Sequence, residues 1–279
     1  MLSVGEGGTG TKRRLAVLGQ PIAHSRSPTI HNAAFAALGM GEEWSYEAIE
    51  VAPEDFASRV QAMPGEGFVG ANVTVPHKRA ALEVADRESE VAREVGAANT
   101  LSFADGAILA DNTDAEGLMS ALPASAAGRR ALVMGAGGAA RAVVWALLRE
   151  GAKVSVWNRT PERAAQLCAE LGGDPLPGTR NEERGTEYDL IVNSTAVGLH
   201  GEDPFTQLPL QRDSLHGKQT VVDLVYGDTE TELLRAAREA GAEVVDGLEV
   251  LVRQGAASFR IWTGKEPPLD AMREAARTA

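Results

Sequence analysis

The sequence predicts an α/β protein in two units, each built on a mainly parallel sheet. Three observations predict it. Short apolar runs alternate with helix-period segments along most of the chain. A change of composition, Leu122-Pro123-Ala124-Ser125-Ala126-Ala127-Gly128, interrupts that alternation near the middle. Directly beyond it an apolar strand runs into a glycine-rich turn and a helix, the opening of a second unit.

In the first unit, residues 14–18 read as a strand. A helix follows over 28–38, with Ser27 as its N-cap and Pro28 at the first helical position. Residues 44–51 read as a strand, 53–63 as a helix and 68–75 as a third strand. In that third strand Asn72 and Thr74 share one face, and Val73 and Val75 the other. One face is expected to pack while the opposite one offers an amide and a hydroxyl. Pro76 has no N–H to donate, so pairing should end there, with Lys78 two residues on. Residues 78–85 and 88–95 read as helices. Residues 100–103 and 107–110 form a hairpin turning at Asp105-Gly106, and 111–117 a polar turn.

In the second unit, 130–134 is a strand, 138–150 its helix and 153–157 the next strand. Further strands are expected at 189–192, 220–224 and 243–245, and a Pro/Gly-rich loop at 172–185. Residues 248–262 and 269–276 read as terminal helices that return to the first unit. The expected organisation is a flexible tail over 1–12, a substrate-binding and catalytic domain over 13–121, a dinucleotide-binding domain over 122–247 and returning helices over 248–279.

Composition narrows the function classes. The chain has 279 residues, 44% hydrophobic and 24% charged, which suits a globular protein large enough for two domains. A formal charge of -12 argues against broad binding to nucleic acid or an anionic membrane, although a small anion can still be held by local donors. The one cysteine, Cys168, makes no intrachain disulfide and reads as packing; no Cys/His cluster has metal-ligand spacing, so no metal is expected. No apolar run reaches the length of a membrane span. Arg13-Arg14 precedes only four apolar residues, too few for a secretory signal, so the cytoplasm is the expected compartment.

Gly135-Ala136-Gly137-Gly138-Ala139-Ala140 fits G-x-G-x-x-G/A between a strand and a helix. The first glycine permits the tight turn, and Gly137 removes a side chain where a pyrophosphate approaches a helix N-terminus. This is a Rossmann-type dinucleotide site. At the end of the next strand, Asn158, Arg159 and Thr160 include no acid to accept from a ribose 2′-OH. Arg159 and Arg163, four apart, instead suit a 2′-phosphate, so NADP is expected as cofactor rather than NAD.

Ser25 and Ser27 flank one residue beside a helix start, a small nest for an anion or simply a capping turn. Asp114 lies in a polar turn where it is either a cap or the partner of a lysine, and Asn99 precedes a strand, where a turn role is its default.

Together these segments resemble the NADP-dependent shikimate dehydrogenase family. The matching stretches are 19–31, 72–78, 97–101, 111–117, 135–139, 158–163, 223–226 and 251–264, in family order. The pattern Gln254-Gly255-Ala256-Ala257-Ser258-Phe259 with Trp262-Thr263-Gly264 is especially specific. The resemblance implies reversible reduction of 3-dehydroshikimate to shikimate, a step toward the aromatic amino acids, with Lys78 and Asp114 as the catalytic pair. It implies Ser25, Ser27 and Tyr226 at the substrate carboxylate, and Asn72, Thr74, Asn99 and Gln254 at the ring oxygens. It implies Gly135, Ala136, Gly137, Gly138 and Ala139 at the pyrophosphate, and Asn158, Arg159, Thr160 and Arg163 at the adenosine phosphate. Thr195, Leu224 and Gly247 lie along the cofactor in this reading, with Glu90 near it. Partners are the small-molecule substrate alone, in a monomer or homodimer. Ala98, His77 and Leu224 depart mildly from the family pattern, which touches fine specificity. Two alternatives stand beside this reading: a quinate/shikimate dehydrogenase of broader substrate or cofactor use, and a non-catalytic ligand sensor of the same fold.

Overall fold

The computed structural model describes residues 12–177 and 187–278. The expected tail falls outside these except for Lys12, as do residues 178–185 of the expected loop.

The first sheet contains β1 (Arg13–Gly19), β2 (Trp44–Glu50), β3 (Phe68–Val73), β4 (Arg87–Glu88), β5 (Thr100–Ala104) and β6 (Ala107–Asp111), in the order β2-β1-β3-β5-β6-β4. β1 runs parallel to β2 and β3, and β4 to β6, while β5 is antiparallel to both its neighbours. The hairpin turns as expected: Asp105 (φ 54°) and Gly106 (φ 74°) are both left-handed, as a tight two-residue turn requires. The helices are α1 (Ser27–Ala37), α2 (Phe56–Ala62), α3 (Lys78–Glu83), α4 (Glu90–Val95) and α5 (Asp114–Ala121).

Four local expectations are corrected here. Ser27 is not the N-cap of α1; it is the first helical residue, and Arg26 holds the cap position without a side-chain bond to the helix N-terminus. Strand β3 ends at Val73, before Pro76, so Val75 is not packed but 63% exposed. Residues 111–117 are not only a turn: α5 begins at Asp114, its first amides held by Asn112 Oδ1, which accepts from the N–H of Asp114 (3.1 Å) and Ala115 (3.4 Å). β4 takes Arg87 and Glu88, the second of them the first residue of the expected 88–95 helix, because Ser89 caps α4 and the helix starts two residues later, at Glu90.

The second sheet contains β7 (Arg130–Met134), β8 (Lys153–Trp157), β9 (Asp174–Pro175), β10 (Leu190–Asn193), β11 (Thr220–Asp223) and β12 (Glu243–Val245), all parallel, in the order β12-β11-β10-β7-β8-β9. That is the doubly wound dinucleotide-binding order, whose crevice opens beyond the carboxyl ends of the central strands. Its central strands are apolar in their middles, as in residues 131–134, 190–192 and 221–222, because helices cover both faces. β9 was not expected; it adds an edge inside the Pro/Gly-rich stretch. The helices are α6 (Gly138–Arg149), α7 (Pro161–Leu171), α8 (Pro204–Gln207) and α9 (Glu232–Glu239).

Two helices close the chain, α10 (Gly247–Thr263) and α11 (Leu269–Thr278). They pack on the first unit: Val252, Phe259 and Met272 share a core with Leu15, Ile30 and Phe35. Each large side chain buried there contributes about 2–3 kcal/mol, so the contact is firm. Among the described residues no helix is long and apolar enough to cross a membrane, and no group of three or more acidic, His or Cys side chains is arranged to hold a metal ion. Cys168 is buried in the second core, its thiol pushed up to about 11 by burial.

Candidate active site

The two sheets present their carboxyl-end loops to one another. Lys78 begins α3, shortly after β3 has stopped, and Asp114 begins α5. The termination of β3 and the cap of α5 aim these two side chains together. Lys78 Nζ donates to Asp114 Oδ2 at 2.5 Å, with the side chains 11% and 17% exposed. An ammonium has three protons, and this contact uses one. Among the described residues Lys78 Nζ has no other partner, so two protons remain to be donated to a ligand oxygen.

Asn99 organises the acceptors. Its Nδ2 lies 2.9 Å from Asp114 Oδ1, 3.0 Å from Thr113 Oγ1 and 3.1 Å from Gln254 Oε1. An amide has two hydrogens, so three oxygens compete for them, and the surplus acceptor capacity suits hydroxyl groups of a ligand. Asn99 Oδ1 accepts from Thr113 N at 2.7 Å, which holds the side chain rigid. Asn72 is buried; its Nδ2 donates to Asn99 O (3.1 Å) and Thr100 Oγ1 (3.2 Å), and its Oδ1 accepts from Tyr46 Oη (2.7 Å). Thr74 lies beside them, half-buried, past the end of β3. Ser25 and Ser27 form a compact turn in which Ser27 N donates to Ser25 Oγ at 3.4 Å. Tyr226 follows β11 on the opposite wall, its phenol raised above the ordinary range by burial, with Arg26 opposing.

Tyr46 was missed by sequence reasoning, as were Thr100 and Thr113. Tyr46 is fully buried, stacked on His31 at 4.3 Å, and burial raises its phenol well above the usual value while Ser27 opposes that shift through a hydrogen bond. It therefore touches both Ser27 and Asn72. No local signal marks it, because the contact exists only once β2 lies beside β1 and β1 beside β3.

The nucleotide side is built from the second sheet. Gly135 leaves β7 with φ 117°, a conformation an L side chain strains to adopt, and a β-carbon there would strike Ser194 Oγ at 2.6 Å. A β-carbon on Gly137 would meet nothing within 4 Å, so open space lies above the N-terminus of α6, where Ala136, Gly138 and Ala139 complete the turn. These observations fit a pyrophosphate, which needs that space and those N–H groups. Thr160 stands at the N-cap position of α7, but its side chain makes no cap bond, and Asn158 Nδ2 donates to Thr160 O at 2.9 Å. Arg159 and Arg163 are exposed and form no ion pair with a described residue. Thr195 is held by Asn193, whose Oδ1 accepts from Thr195 Oγ1 at 2.7 Å, and Asn193 Nδ2 in turn donates to Asp223 at 2.9 Å. Asp223 is pushed up to about 6 by burial, against the donors Thr231, Val225 and Asn193. Gly247 packs on Leu224: a β-carbon would lie 2.6 Å from Leu224 O. Glu90 is the exception. It is exposed at the N-terminal end of α4 and makes no hydrogen bond or ion pair with the glycine turn.

The two halves meet at Lys78. A β-carbon on Gly138 would stand 2.9 Å from Lys78 Cβ, so the lysine stem lies against the first residue of the phosphate-facing helix. A Rossmann unit facing a lysine–aspartate pair across a cleft defines the class: a dinucleotide-dependent oxidoreductase acting on a small polar substrate.

Comparison with known proteins carries this further. The chain matches the models for the shikimate dehydrogenase substrate binding domain over residues 17–101, for shikimate / quinate 5-dehydrogenase over 118–224, and for the shikimate 5'-dehydrogenase C-terminal domain over 247–277. The shikimate dehydrogenase (NADP(+)) of Methanocella arvoryzae is 45% identical over 271 residues, spanning 94% of this chain and 97% of the relative. Among solved structures, the shikimate 5-dehydrogenase of Thermus thermophilus in complex with NADP(H) and shikimate is 43% identical, with a TM-score of 0.85 over 95% of this chain and 99% of that one. The 5-ketofructose reductase of a Gluconobacter species shares the fold at 27% identity, with a TM-score of 0.86 over 96% of this chain and 99% of that one. The chain belongs to the shikimate dehydrogenase family.

Proposed function

We infer that this protein is an NADP-dependent shikimate dehydrogenase, reducing 3-dehydroshikimate to shikimate reversibly. The observation that carries the reading is the placement of the Lys78–Asp114 pair against the start of α6. NADPH, when bound, supplies the hydride. The chain's own residues prepare the carbonyl. Lys78 offers its two remaining protons to the ketone oxygen, where negative charge grows during reduction. Asp114 Oδ2 holds the ammonium, and Asn99 holds the other carboxylate oxygen.

Gln254 Oε1 and Asp114 are acceptors for ring hydroxyls, joined by Thr74 and by Asn72, whose Oδ1 also accepts from Tyr46 Oη (2.7 Å) and Ser258 Oγ (3.5 Å). Ser25 and Ser27 bind the carboxylate with Tyr226, donating from hydroxyls and backbone. Gly135 to Ala139 hold the pyrophosphate, and Asn158, Arg159, Thr160 and Arg163 the 2′-phosphate, with Thr195, Leu224 and Gly247 along the nicotinamide half. Glu90 has no geometric support for its cofactor role. The division into a substrate unit over 13–121, a nucleotide unit over 122–247 and returning helices is supported by the two separate sheets and the core shared by α1, α10 and α11.

One assay tests the reading: oxidation of NADPH and of NADH with 3-dehydroshikimate and with 3-dehydroquinate. Turnover confined to NADPH with 3-dehydroshikimate is expected. Comparable turnover of 3-dehydroquinate, or equal efficiency with NADH, favours the broader dehydrogenase, and no turnover at all favours a ligand sensor.

A further inference from the structure

We propose that Arg141 is a positioning residue that sets α6, and with it the cofactor, at a fixed distance and rotation from Lys78. The proposal rests on the reading of Lys78 as the donor to the substrate ketone.

Arg141 lies one turn into α6, but its side chain leaves the nucleotide unit. Its Nε donates to Val95 O at 2.6 Å, in the other unit, and its Nη1 pairs with Glu170 of α7 at 2.6 Å. The side chain is 9% exposed. A cation this deeply buried is costly unless it is paired, and here Glu170 matches its charge while Nε and Nη1 both donate. Val95 ends α4, so its carbonyl is one of those a helix leaves unpaired, at the negative end of the helix dipole. The guanidinium fills the space over that helix end: a β-carbon on Gly96 would lie 2.5 Å from Arg141 Nη2.

The segment that starts at Val95 runs straight into the catalytic pair. Ala97 O accepts from Asn112 Nδ2 at 2.9 Å, and Asn112 caps the helix that begins with Asp114. Ala98 N donates to Lys78 O at 2.8 Å. Asn99 donates to Asp114 Oδ1. From Val95 to Asn99 the chain passes from the Arg141 contact to the main chain of Lys78 and the carboxylate of Asp114.

On the other side Gly138, one helical turn before Arg141, rests against the Lys78 stem. α6 therefore meets the catalytic segment at two points. One contact fixes a distance, whereas two fix a rotation as well. The apolar surface around them has Val95, Ala97, Ala115, Ala142 and Ala146 at its centre, with Val91, Met119 and Trp145 packed against them. The small side chains at its centre interdigitate little, so the buried Arg141 contact adds a directional constraint there. The dry surroundings strengthen its hydrogen bonds. Trp145 Nε1 and Arg149 Nη1 extend the seam to Glu94, at 2.9 Å and 3.4 Å, further from the site.

Misplacing reacting groups by about 1 Å costs roughly 100-fold in rate, which sets the scale of the expected effect. The test compares full-length Arg141→Met, Arg141→Lys and Glu170→Gln with the wild-type protein. Single-turnover NADPH oxidation by 3-dehydroshikimate is measured with and without deuterium at the transferred position, alongside NADPH affinity by fluorescence and melting temperature. Arg141→Met is expected to slow hydride transfer by about 10- to 100-fold and enlarge the isotope effect on turnover, with NADPH Kd and substrate KM within about threefold. Arg141→Lys, which can reach Val95 O but not hold a planar fork, falls between the two. Glu170→Gln, which keeps the Val95 contact, stays near wild type. A wild-type transfer rate in Arg141→Met overturns the proposal, as does a rate loss matched by an equal loss of NADPH affinity. Should Arg141→Met fail to fold, a wild-type rate and isotope effect in Arg141→Lys overturns it. Absence of activity in the wild-type protein itself would instead count against the dehydrogenase reading.

Discussion

A β-carbon on Gly117 would stand 2.6 Å from Gln254 Cβ and 2.8 Å from the Gln254 backbone nitrogen. Helices α5 and α10 cross there at the closest approach their backbones permit, and that approach brings Gln254 Oε1 within 3.1 Å of Asn99. Because backbone rather than a flexible side-chain tip lies opposite, the helices must part to admit a methyl group. Gly117→Ala is expected to destabilise the fold by about 1–3 kcal/mol. It should also raise KM for shikimate, as Gln254 is drawn from the acceptor cluster. Thermal unfolding and steady-state kinetics check both, and an unchanged KM would remove Gln254 from the substrate site.

Lys78→Ala removes the donor to the growing negative charge while leaving the ring and carboxylate contacts. Turnover should fall about 10²–10³-fold with KM changed modestly, because the lost interaction strengthens in the transition state. A large rise in KM at normal kcat would make Lys78 a binding residue only.

Arg159 and Arg163 have no ionic partner among the described residues, so their charge is available to a phosphate. Replacing both by Ala should raise KM for NADPH by about 10–100-fold, the scale of lost charge-assisted hydrogen bonds. KM for NADH should move little. A parallel loss with both cofactors would place the arginines elsewhere than at the 2′-phosphate.

Glu249 ties the last two helices together. Its carboxylate accepts from Arg273 (2.8 and 2.9 Å) and Arg253 (2.7 Å), and chiefly the Arg273 hydrogen bond holds it down at about 2, from 4.5. A depressed carboxylate stabilises the fold above its unfolded value and loses that contribution as pH falls toward the folded one. Glu249→Gln should therefore be less stable than wild type at pH 7, by about 1–2 kcal/mol. The difference should shrink as pH falls from 4.5 to about 2. Denaturant titrations across that window check it; a gap independent of pH would mean that packing, not the charge, links the helices.

Much of the nucleotide unit was legible because its signals are local. The strand–glycine–helix run from Arg130 and the strand ending at Trp157 lie where the sequence places them. α9 was not expected, although its signal is local too: Thr231 caps it and Leu233, Leu234 and Ala237 are buried. α5 is different. It is eight residues long, contains Gly117 and opens on Asp114, so its sequence reads as a turn, and it is helical because Asn112 caps it and α10 packs along it. Ser27 has the composition of a cap but is buried beside Tyr46, which takes it out of that role.

By itself the chain determined the order of its elements, the phosphate-binding turn, the absence of an acid after β8, and the residue types of the reacting pair. These depend on neighbours a few positions apart, whose geometry the backbone dictates. Only the tertiary structure decided that Lys78 meets Asp114, that Tyr46 links Ser27 to Asn72, and that Arg141 crosses between the units. Those contacts join residues from 19 to 46 positions apart, brought together by strand pairing and helix docking, which no local pattern encodes.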